Sequence, residues 1–333
     1  MNKVLITGAN GFVGSNLCRH FLDRGWEVHG LVRPTSDLRF LSVLDVRLIR
    51  GDLSVPGGAA LPAGVPYVVH SASIVSDVAG DAFCDRHIYG LAVNLVRLLR
   101  ERGGPLRRLV EISTSLTLGY AATGISDESP GRSAESMPYV RHKIRTERYL
   151  LDEHAARGLP VVILRPADIF GPRDRTTCLR ILQGCAAGVP LIVGRGRWRF
   201  GLCYVGNLCQ AVELALTREG IEGRAYTVTN GVLPTWREFF EAIQRGLGRR
   251  QRIAVPKGAA YAAAALVGAV KAFRPGWNPP LTRYRIRRIT TDTTYDISRT
   301  VAELGYRPDD DYRRQFEEIV RWYLEEGGNA GSR

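Results

Sequence analysis

The fold is decided by the stretch Lys3-Val-Leu-Ile-Thr-Gly-Ala-Asn-Gly-Phe-Val-Gly14. Val4, Leu5 and Ile6 form an apolar run without polar alternation, which is typical of a strand buried on both faces of a parallel sheet. Three glycines follow at three-residue spacing, and an amphipathic segment follows them to Arg24. The sequence therefore predicts a buried strand, a tight turn and the start of a helix.

The three glycines predict a phosphate site at this turn. Glycine lets the chain turn sharply and approach a pyrophosphate without a Cβ in the way, and it lets the helix pack close to the strand. The free N–H groups and the positive end of the helix then hold the phosphates. A turn without any ligand is the alternative. The candidate cofactor contacts in this stretch are Gly8, Asn10, Gly11, Phe12, Val13 and Gly14.

Composition fits an ordinary globular α/β protein of 333 residues, 45% hydrophobic and 24% charged, with room for one large domain and a smaller lobe. The net charge is +13, but only four of the 46 basic residues are lysines, which indicates an arginine-biased genome. This positive charge favours binding of an anionic cofactor and a lipid surface over binding of nucleic acid. The six cysteines have neither disulfide nor zinc spacing, so we expect reduced thiols, no metal, and a cytoplasmic protein.

Further apolar runs separated by short loops predict a doubly wound parallel sheet of the Rossmann type. Arg33 ends the second strand, where arginine accommodates the 2′-phosphate of NADP and an acidic residue would favour NAD. Arg33 therefore favours NADP(H), with a solvated arginine as the alternative. Asp52 is placed to accept a hydrogen bond from adenine, Ser71 and Ala72 to lie beside the pyrophosphate, and His70 to be a buried, hydrogen-bonded histidine. The predicted strands are residues 26–32, 46–49, 67–70, 108–112 and 160–164, with a helix at 82–102.

The second informative pattern is a tyrosine and a lysine after a strand-end serine. Tyr139 comes 24 residues after Ser115, and Lys143 comes four residues after Tyr139, so both side chains share one helix face. Tyrosine is a poor base near neutral pH unless a nearby positive charge favours phenolate. Lys143, with the nicotinamide charge, would supply it. An exposed helix pair is the alternative.

The C-terminal half predicts a substrate lobe. A proline- and glycine-rich loop at 165–174 follows the sixth strand at the sheet edge where ligands bind. Residues 224–228 look like a strand that returns to the sheet, and 236–247 like an amphipathic helix. We therefore expect a cofactor-binding domain at 1–166, joined by 202–230, and a substrate lobe formed by 167–201 and 231–333.

Residues 258–273 are apolar nearly all round, but they are shorter than the roughly 20 residues that span a bilayer. They predict a buried helix or one that rests in a membrane interface. An arginine cluster follows at Arg283, Arg285, Arg287 and Arg288. Together these segments, 258–288, suit contact with an anionic membrane face.

These motifs resemble the extended short-chain dehydrogenase/reductases over nearly the whole chain, and most of all the 3β-hydroxysteroid dehydrogenase group with its sterol-4α-carboxylate 3-dehydrogenases. The C-terminal half contributes Thr294-Tyr-Asp-Ile-Ser298 and Leu304-Gly-Tyr-Arg-Pro308. The N-terminal half contributes the glycine turn, Gly51-Asp-Leu53, His70-Ser-Ala-Ser73, Ser113-Thr-Ser115, Tyr139-Val-Arg-His-Lys143 and Arg165-Pro-Ala-Asp-Ile-Phe-Gly-Pro-Arg-Asp174.

The resemblance implies strand order 3-2-1-4-5-6 and a triad of Ser115, Tyr139 and Lys143. Tyr139 would move the proton, Ser115 would hold the substrate oxygen, and Lys143 would bind the ribose hydroxyls and lower the phenol pKa. It also implies cofactor contacts by Leu53, by backbone around Pro166 and Ile169, and a homodimer.

The resulting hypothesis is an NAD(P)-dependent oxidoreductase that acts on a lipid-like alcohol or ketone, either a 3β-hydroxysterol or a long-chain β-keto acid. A carboxylate β to the new ketone, as on a 4-carboxysterol, would then leave by decarboxylation. Two alternatives stay open: a sugar-nucleotide epimerase or dehydratase with the same triad, and a cofactor-sensing protein without turnover.

Overall fold

The computed structural model describes residues 1–128, 137–189, 192–249, 254–272 and 282–327. The described residues contain eleven strands: β1 (Lys3–Thr7), β2 (Glu27–Val32), β3 (Arg47–Arg50), β4 (Tyr67–His70), β5 (Arg108–Ile112), β6 (Val161–Pro166), β7 (Asp168–Phe170), β8 (Ile192–Val193), β9 (Leu202–Tyr204), β10 (Arg224–Val228) and β11 (Ala254–Val255).

Seven of these strands form one parallel sheet in the order β10-β6-β5-β4-β1-β2-β3. The predicted order 3-2-1-4-5-6 is confirmed, and β10 adds a seventh strand beside β6. Two short parallel pairs, β11 with β8 and β7 with β9, lie outside this sheet. The carboxyl ends of the seven strands therefore share one edge, which carries the glycine turn and the ends of β4, β5 and β6.

Helices cover both faces of the sheet, and this explains the apolar strands. The helices are α1 (Phe12–Leu22), α2 (Asp81–Cys84), α3 (Gly90–Glu101), α4 (Pro138–Arg157), α5 (Cys178–Ala186), α6 (Val205–Thr217), α7 (Trp236–Gly246), α8 (Lys257–Ala272), α9 (Arg283–Ile289), α10 (Ser298–Leu304) and α11 (Tyr312–Trp322). A π-helical turn at Asp85–Tyr89 joins α2 to α3, so the helix predicted at 82–102 is confirmed as Asp81–Glu101 with a turn of different pitch inside it.

Side chains on a strand alternate between the two faces of its sheet. Val4 and Ile6 of β1 accordingly pack in one core with α1 and α6, while Leu5 packs in the other core with α3 and α4. Both cores are fully apolar at these positions, since helices exclude water from both faces.

A third core lies away from the sheet and is dominated by aromatic rings. Phe200 stacks on Trp236 at 4.0 Å between ring centroids, and Phe239 contacts Phe316 at 4.9 Å. These residues join α7 and α11 into one cluster. The predicted boundaries of the cofactor domain and the lobe stay a prediction.

The helix predicted at 258–273 is present as α8, except that Phe273 lies outside the described residues. Ala260 and Ala264 pack against Val193 and Ile286, whereas Leu266 is 71% exposed. The helix is therefore buried on one side only. Among the described residues, no helix combines the length and apolar character that crossing a bilayer requires.

Candidate active site

The glycine turn is built so tightly that side chains do not fit. A Cβ on Gly14 would lie 2.2 Å from the carbonyl oxygen of Gly8, and a Cβ on Gly8 would lie 2.8 Å from Cα of Ala72. Gly8 also has a φ of +65°, which L-residues rarely adopt. The turn is therefore pressed against the residues that follow β4, as the sequence predicts.

Thr7 fixes the end of β4 against this turn. The Ser71 hydroxyl donates to the Thr7 carbonyl at 2.7 Å, and the Ala72 N–H donates to the Thr7 hydroxyl at 3.2 Å. The same hydroxyl lies 2.7 Å from Nδ1 of His70. Burial, followed by the charge of Lys143, lowers the pKa of His70 to about 3. His70 is thus a neutral, buried and hydrogen-bonded histidine, and that prediction is confirmed.

The N-terminus of α1 has the properties of a phosphate site. Its N-cap is Gly11, which offers no side chain to the free N–H groups, and its first turn carries no acidic residue. The positive end of the helix is therefore not compensated by a carboxylate, which suits an anion. Asn10, Phe12 and Val13 are partly exposed around this end and so accessible to a ligand.

Arg33 and Asp52, which follow β2 and β3, lie close enough to His87 for their charges to act on it. Arg33 is exposed just beyond β2, and Asp52 accepts a hydrogen bond from the Ser54 N–H at 2.8 Å. Burial and then the charge of Arg86 lower the pKa of His87, with Asp52 and Arg33 acting on it as well. Leu53 is buried beneath this group, and its carbonyl accepts from the Asn94 amide at 2.7 Å.

Tyr139 and Lys143 lie on one buried face of α4, as their spacing predicts. They are only 7% and 3% exposed, so the alternative of an exposed helix pair is wrong. The Lys143 ammonium donates to the Ile112 carbonyl at 2.7 Å and to Oε1 of Glu111 at 3.1 Å. An ammonium has three donors, so one remains for another acceptor, such as a ribose hydroxyl.

Burial and nearby charges have opposite effects on the pKa of the Tyr139 phenol. Burial raises its pKa above the ordinary value of 10.0, whereas the charge of Lys143, a hydrogen bond with Thr114 and the charge of Arg288 lower it. Lys143 acts in the predicted direction, but desolvation is the larger effect in the protein without a cofactor. A bound oxidised nicotinamide would add a further positive charge that favours phenolate.

Three consecutive hydroxyls at the end of β5 have different partners. Ser113 donates to Glu147 at 2.5 Å, Thr114 hydrogen-bonds Tyr139, and Ser115 hydrogen-bonds Tyr295. The Tyr295 phenol also donates to the Gly119 carbonyl at 3.0 Å. Ser115 is buried at the start of a short 3₁₀ turn next to the Tyr139 partner, so the predicted triad residues are brought to one place.

Helix α9 lies over this centre, and two of its arginines have acidic partners. Arg285 forms a two-pronged pair with Asp77 at 2.8 and 2.9 Å, and Arg288 pairs with Asp168. Arg283 and Arg287 are exposed. The arginine cluster is therefore divided between the site and the surface.

The loop after β6 carries the remaining predicted contacts. Pro166 ends β6, and Ile169 lies in the short strand β7, paired with Cys203 of β9. Asp168 between them is the partner of Arg288, so this loop and α9 face each other across the site.

Sequence reasoning missed several groups at this centre. Glu111 carries a visible signal, since it is a lone acid in the buried strand RLVEI. Thr114 and Tyr295 stand inside motifs that the sequence singles out, but nothing in their spacing assigns them a partner. The pairing of Arg288 with Asp168 joins residues 120 positions apart and has no sequence signal.

Comparison with known proteins identifies the family of this chain. Residues 4–229 match the NAD dependent epimerase/dehydratase family. Sterol demethylase protein B of Methylococcus capsulatus is 32% identical, with 97% of this chain and 98% of that protein covered. A 3 beta-hydroxysteroid dehydrogenase/Delta 5→4-isomerase of Mycobacterium tuberculosis is 28% identical, with 97% and 91% covered. A 2-alkyl-3-oxoalkanoate reductase of Stenotrophomonas maltophilia is 29% identical, with 92% and 94% covered.

Solved structures share the fold. The dTDP-glucose 4,6-dehydratase of Bacillus anthracis, crystallised in complex with NAD, matches with a TM-score of 0.74 and 18% identity, covering 98% of each chain. The predicted resemblance to extended short-chain dehydrogenases, including 3β-hydroxysteroid dehydrogenases, is confirmed. The chain therefore belongs to the NAD dependent epimerase/dehydratase family, as an oxidoreductase of the extended short-chain type.

Proposed function

We propose that this protein interconverts a secondary alcohol and a ketone on a lipid-like substrate, with NADP(H) preferred over NAD(H). The observation that carries the proposal is the buried pair of Tyr139 and Lys143, placed beside Ser115 at the same sheet edge as the glycine turn. A protein that only senses its cofactor needs the turn but has no use for this pair.

In this proposal each residue of the triad has a distinct role. Tyr139 gives its phenolic proton to the substrate oxygen in reduction and removes that proton in oxidation. Ser115 holds the oxygen, and Lys143 binds a ribose hydroxyl with its remaining donor while favouring the phenolate. When bound, the nicotinamide supplies or accepts the hydride. Pro166 and Ile169 orient the cofactor through their backbone.

A lipid-like substrate is supported by the named activities of the relatives, which include sterol and alkyl-oxoalkanoate enzymes. Two substrate classes fit, a 3β-hydroxysterol and a long-chain β-keto acid. Arg288 lowers the pKa of the Tyr139 phenol but is itself paired with Asp168, so its charge is already compensated and does not discriminate between these two classes.

Contact with the cytoplasmic membrane face is part of the same proposal. The exposed side of α8 is apolar around Leu266, and α8 shares a core with Ile286 of α9, the helix that covers the site. Lys257 at the start of α8 and the exposed Arg283 and Arg287 supply positive charge next to this face.

A sugar-nucleotide epimerase or dehydratase is the second candidate, favoured by the family match and by the dehydratase structure. Such enzymes use the same triad but regenerate their cofactor within each turnover. Cofactor that stays bound during purification would favour this candidate.

Nicotinamide absorbance tests the two candidates. The purified protein is given NADP⁺ or NAD⁺ with a 3β-hydroxysterol, with and without a 4-carboxyl group, and NADPH or NADH with a long-chain β-keto acid. We expect net cofactor turnover with a lipid. Conversion of a UDP-sugar without net absorbance change, together with no lipid turnover, would replace the proposal by the epimerase function.

A further inference from the structure

Glu111 is a buried carboxyl directly behind the catalytic lysine. It lies on β5 with 1% of its surface exposed, and its Oε1 is 3.1 Å from Nζ of Lys143. Its Oε2 is also buried and has no hydrogen-bond partner among the residues that the structure describes. A buried, half-satisfied carboxyl is costly, so its place next to Lys143 calls for a role beyond packing.

The charged groups near Glu111 come from helix α4 and strand β6. Helix α4 contributes Lys143 and Glu147, and Glu147 in turn pairs with Arg165 of β6 at 2.6 Å. The neighbouring residue on β4 is His70, and on β6 it is Ile163. The side chains of α3 that are buried on this face are apolar: Leu91, Ala92, Leu95, Val96, Leu98 and Leu99.

We propose that Glu111 is a positioning residue whose ionisation sets how strongly Lys143 acts on Tyr139. The proposal rests on the function proposed above, in which Tyr139 transfers the proton. Glu111 and the Ile112 carbonyl hold the ammonium at the end of β5, which leaves its third donor for the cofactor. The charge state of this carboxyl also determines whether the positive charge of Lys143 is neutralised by Glu111.

The direction of the effect follows from simple electrostatics. When Glu111 is protonated, the charge of Lys143 is uncompensated and favours the Tyr139 phenolate. When Glu111 is ionised, its negative charge raises the pKa of Tyr139. Burial raises the pKa of Glu111 to about 7, opposed by Lys143 and reinforced by Glu147. The carboxyl therefore changes its charge near neutral pH.

The test measures Tyr139 itself and needs no substrate. Phenolate absorbance is titrated in the wild type and in Glu111→Gln, and the Tyr139→Phe counterpart of each is subtracted. Glutamine keeps an oxygen acceptor for Lys143 but cannot ionise. We expect the Tyr139 midpoint to fall in Glu111→Gln by about 1 unit, the low end of the shift that one nearby charge produces.

Glu153→Gln is the matched control. Glu153 is a buried carboxyl on the same helix and pairs with Arg157 at 2.7 Å, but it lies ten residues, or about 15 Å, along α4 from Lys143. We expect no change of the Tyr139 midpoint in this variant. A merely structural role of Glu111 would lower the melting temperature of Glu111→Gln without moving the midpoint.

A second measurement uses the unmutated protein, in case Glu111→Gln does not fold. The infrared carbonyl band of a protonated buried carboxyl should disappear as the pH rises through neutrality. The proposal is overturned if that band does not titrate there. It is equally overturned if the phenolate titration of Tyr139 is the same in the wild type and in Glu111→Gln, including the case in which neither titrates within the accessible pH range. Failure of every lipid substrate would count against the proposed function while leaving this test intact.

Discussion

At the scale of single residues, burial and nearby charges act in opposite directions on the ionisation of the Tyr139 phenol. Burial disfavours the phenolate, whereas Lys143, Thr114 and Arg288 favour it. In the proposed mechanism Tyr139 serves as an acid when its phenol is neutral and as a base when its cationic neighbours favour the phenolate. That mechanism depends on the hydroxyl of Tyr139 rather than on its ring.

Replacement of that hydroxyl tests the assignment. We expect Tyr139→Phe to reduce turnover by about 10²–10⁴-fold, the usual contribution of a positioned acid or base, with cofactor affinity retained. Tyr149→Phe is the matched control, since Tyr149 is on the same helix but contacts Tyr89. Equal turnover in Tyr139→Phe and the wild type would contradict the mechanism, and steady-state kinetics with a fluorescence titration of NADPH separates the two effects.

The proposed preference for NADP(H) depends on Arg33. Loss of a charge-assisted contact costs about 1.5–3 kcal/mol, so Arg33→Gln should weaken NADP⁺ binding by about 10–100-fold and leave NAD⁺ binding unchanged. Arg47→Gln removes the same charge from β3 at the opposite edge of the sheet and should change neither affinity. An equal loss of affinity for NADP⁺ and NAD⁺ in Arg33→Gln would mean that this side chain does not recognise the 2′-phosphate.

At the scale of elements, the glycine turn shows how a close approach of backbone selects a residue type. Gly14 and Gly268 both lie inside helices, but a Cβ on Gly14 would enter the Gly8 carbonyl, whereas a Cβ on Gly268 meets nothing within 4 Å. The same substitution should therefore have opposite effects at these two positions.

We expect Gly14→Ala to lower the free energy of unfolding by about 1–3 kcal/mol or more and to abolish cofactor binding, because the overlap is with backbone. Gly268→Ala should raise it by about 0.5–1 kcal/mol, since alanine loses less conformational entropy in a helix. Urea unfolding of both variants measures the difference. Two changes of the same sign would contradict the packing described here.

At the scale of the whole molecule, the central strands of the sheet were predictable because they are covered on both faces and so read as apolar runs, whereas the edge strand β3 is largely exposed. The boundaries of β4, β5 and β10 agree with the predicted ones, and the turn was recognisable because only glycine fits it. The surroundings of Tyr139 were not predictable to the same extent. Glu111 comes from β5, whereas Arg288 and Tyr295 come from the C-terminal part of the chain, and their contacts arise only after the sheet and lobe have packed.

The exposed face of α8 gives a prediction about the molecule and its surroundings. Leu266→Glu should weaken binding to vesicles of phosphatidylcholine and phosphatidylserine by about tenfold or more, since it removes about 1.5–3 kcal/mol of apolar transfer and adds repulsion. Val301→Glu on α10, a position that is also exposed, is the control. Vesicle sedimentation at low and high salt measures both, and equal binding of Leu266→Glu and the wild type would exclude α8 as the contact.

The position of β10 has a consequence for how the chain folds during synthesis. β10 pairs with β6 along Val162–Pro166, although 57 residues separate the end of one strand from the start of the other. Until Arg224–Val228 has left the ribosome, the nascent sheet presents an apolar, unpaired edge that can recruit a strand from another chain. A fragment that ends before β10 should therefore aggregate even with its glycine turn and triad complete, whereas one that reaches past Val228 has this edge closed.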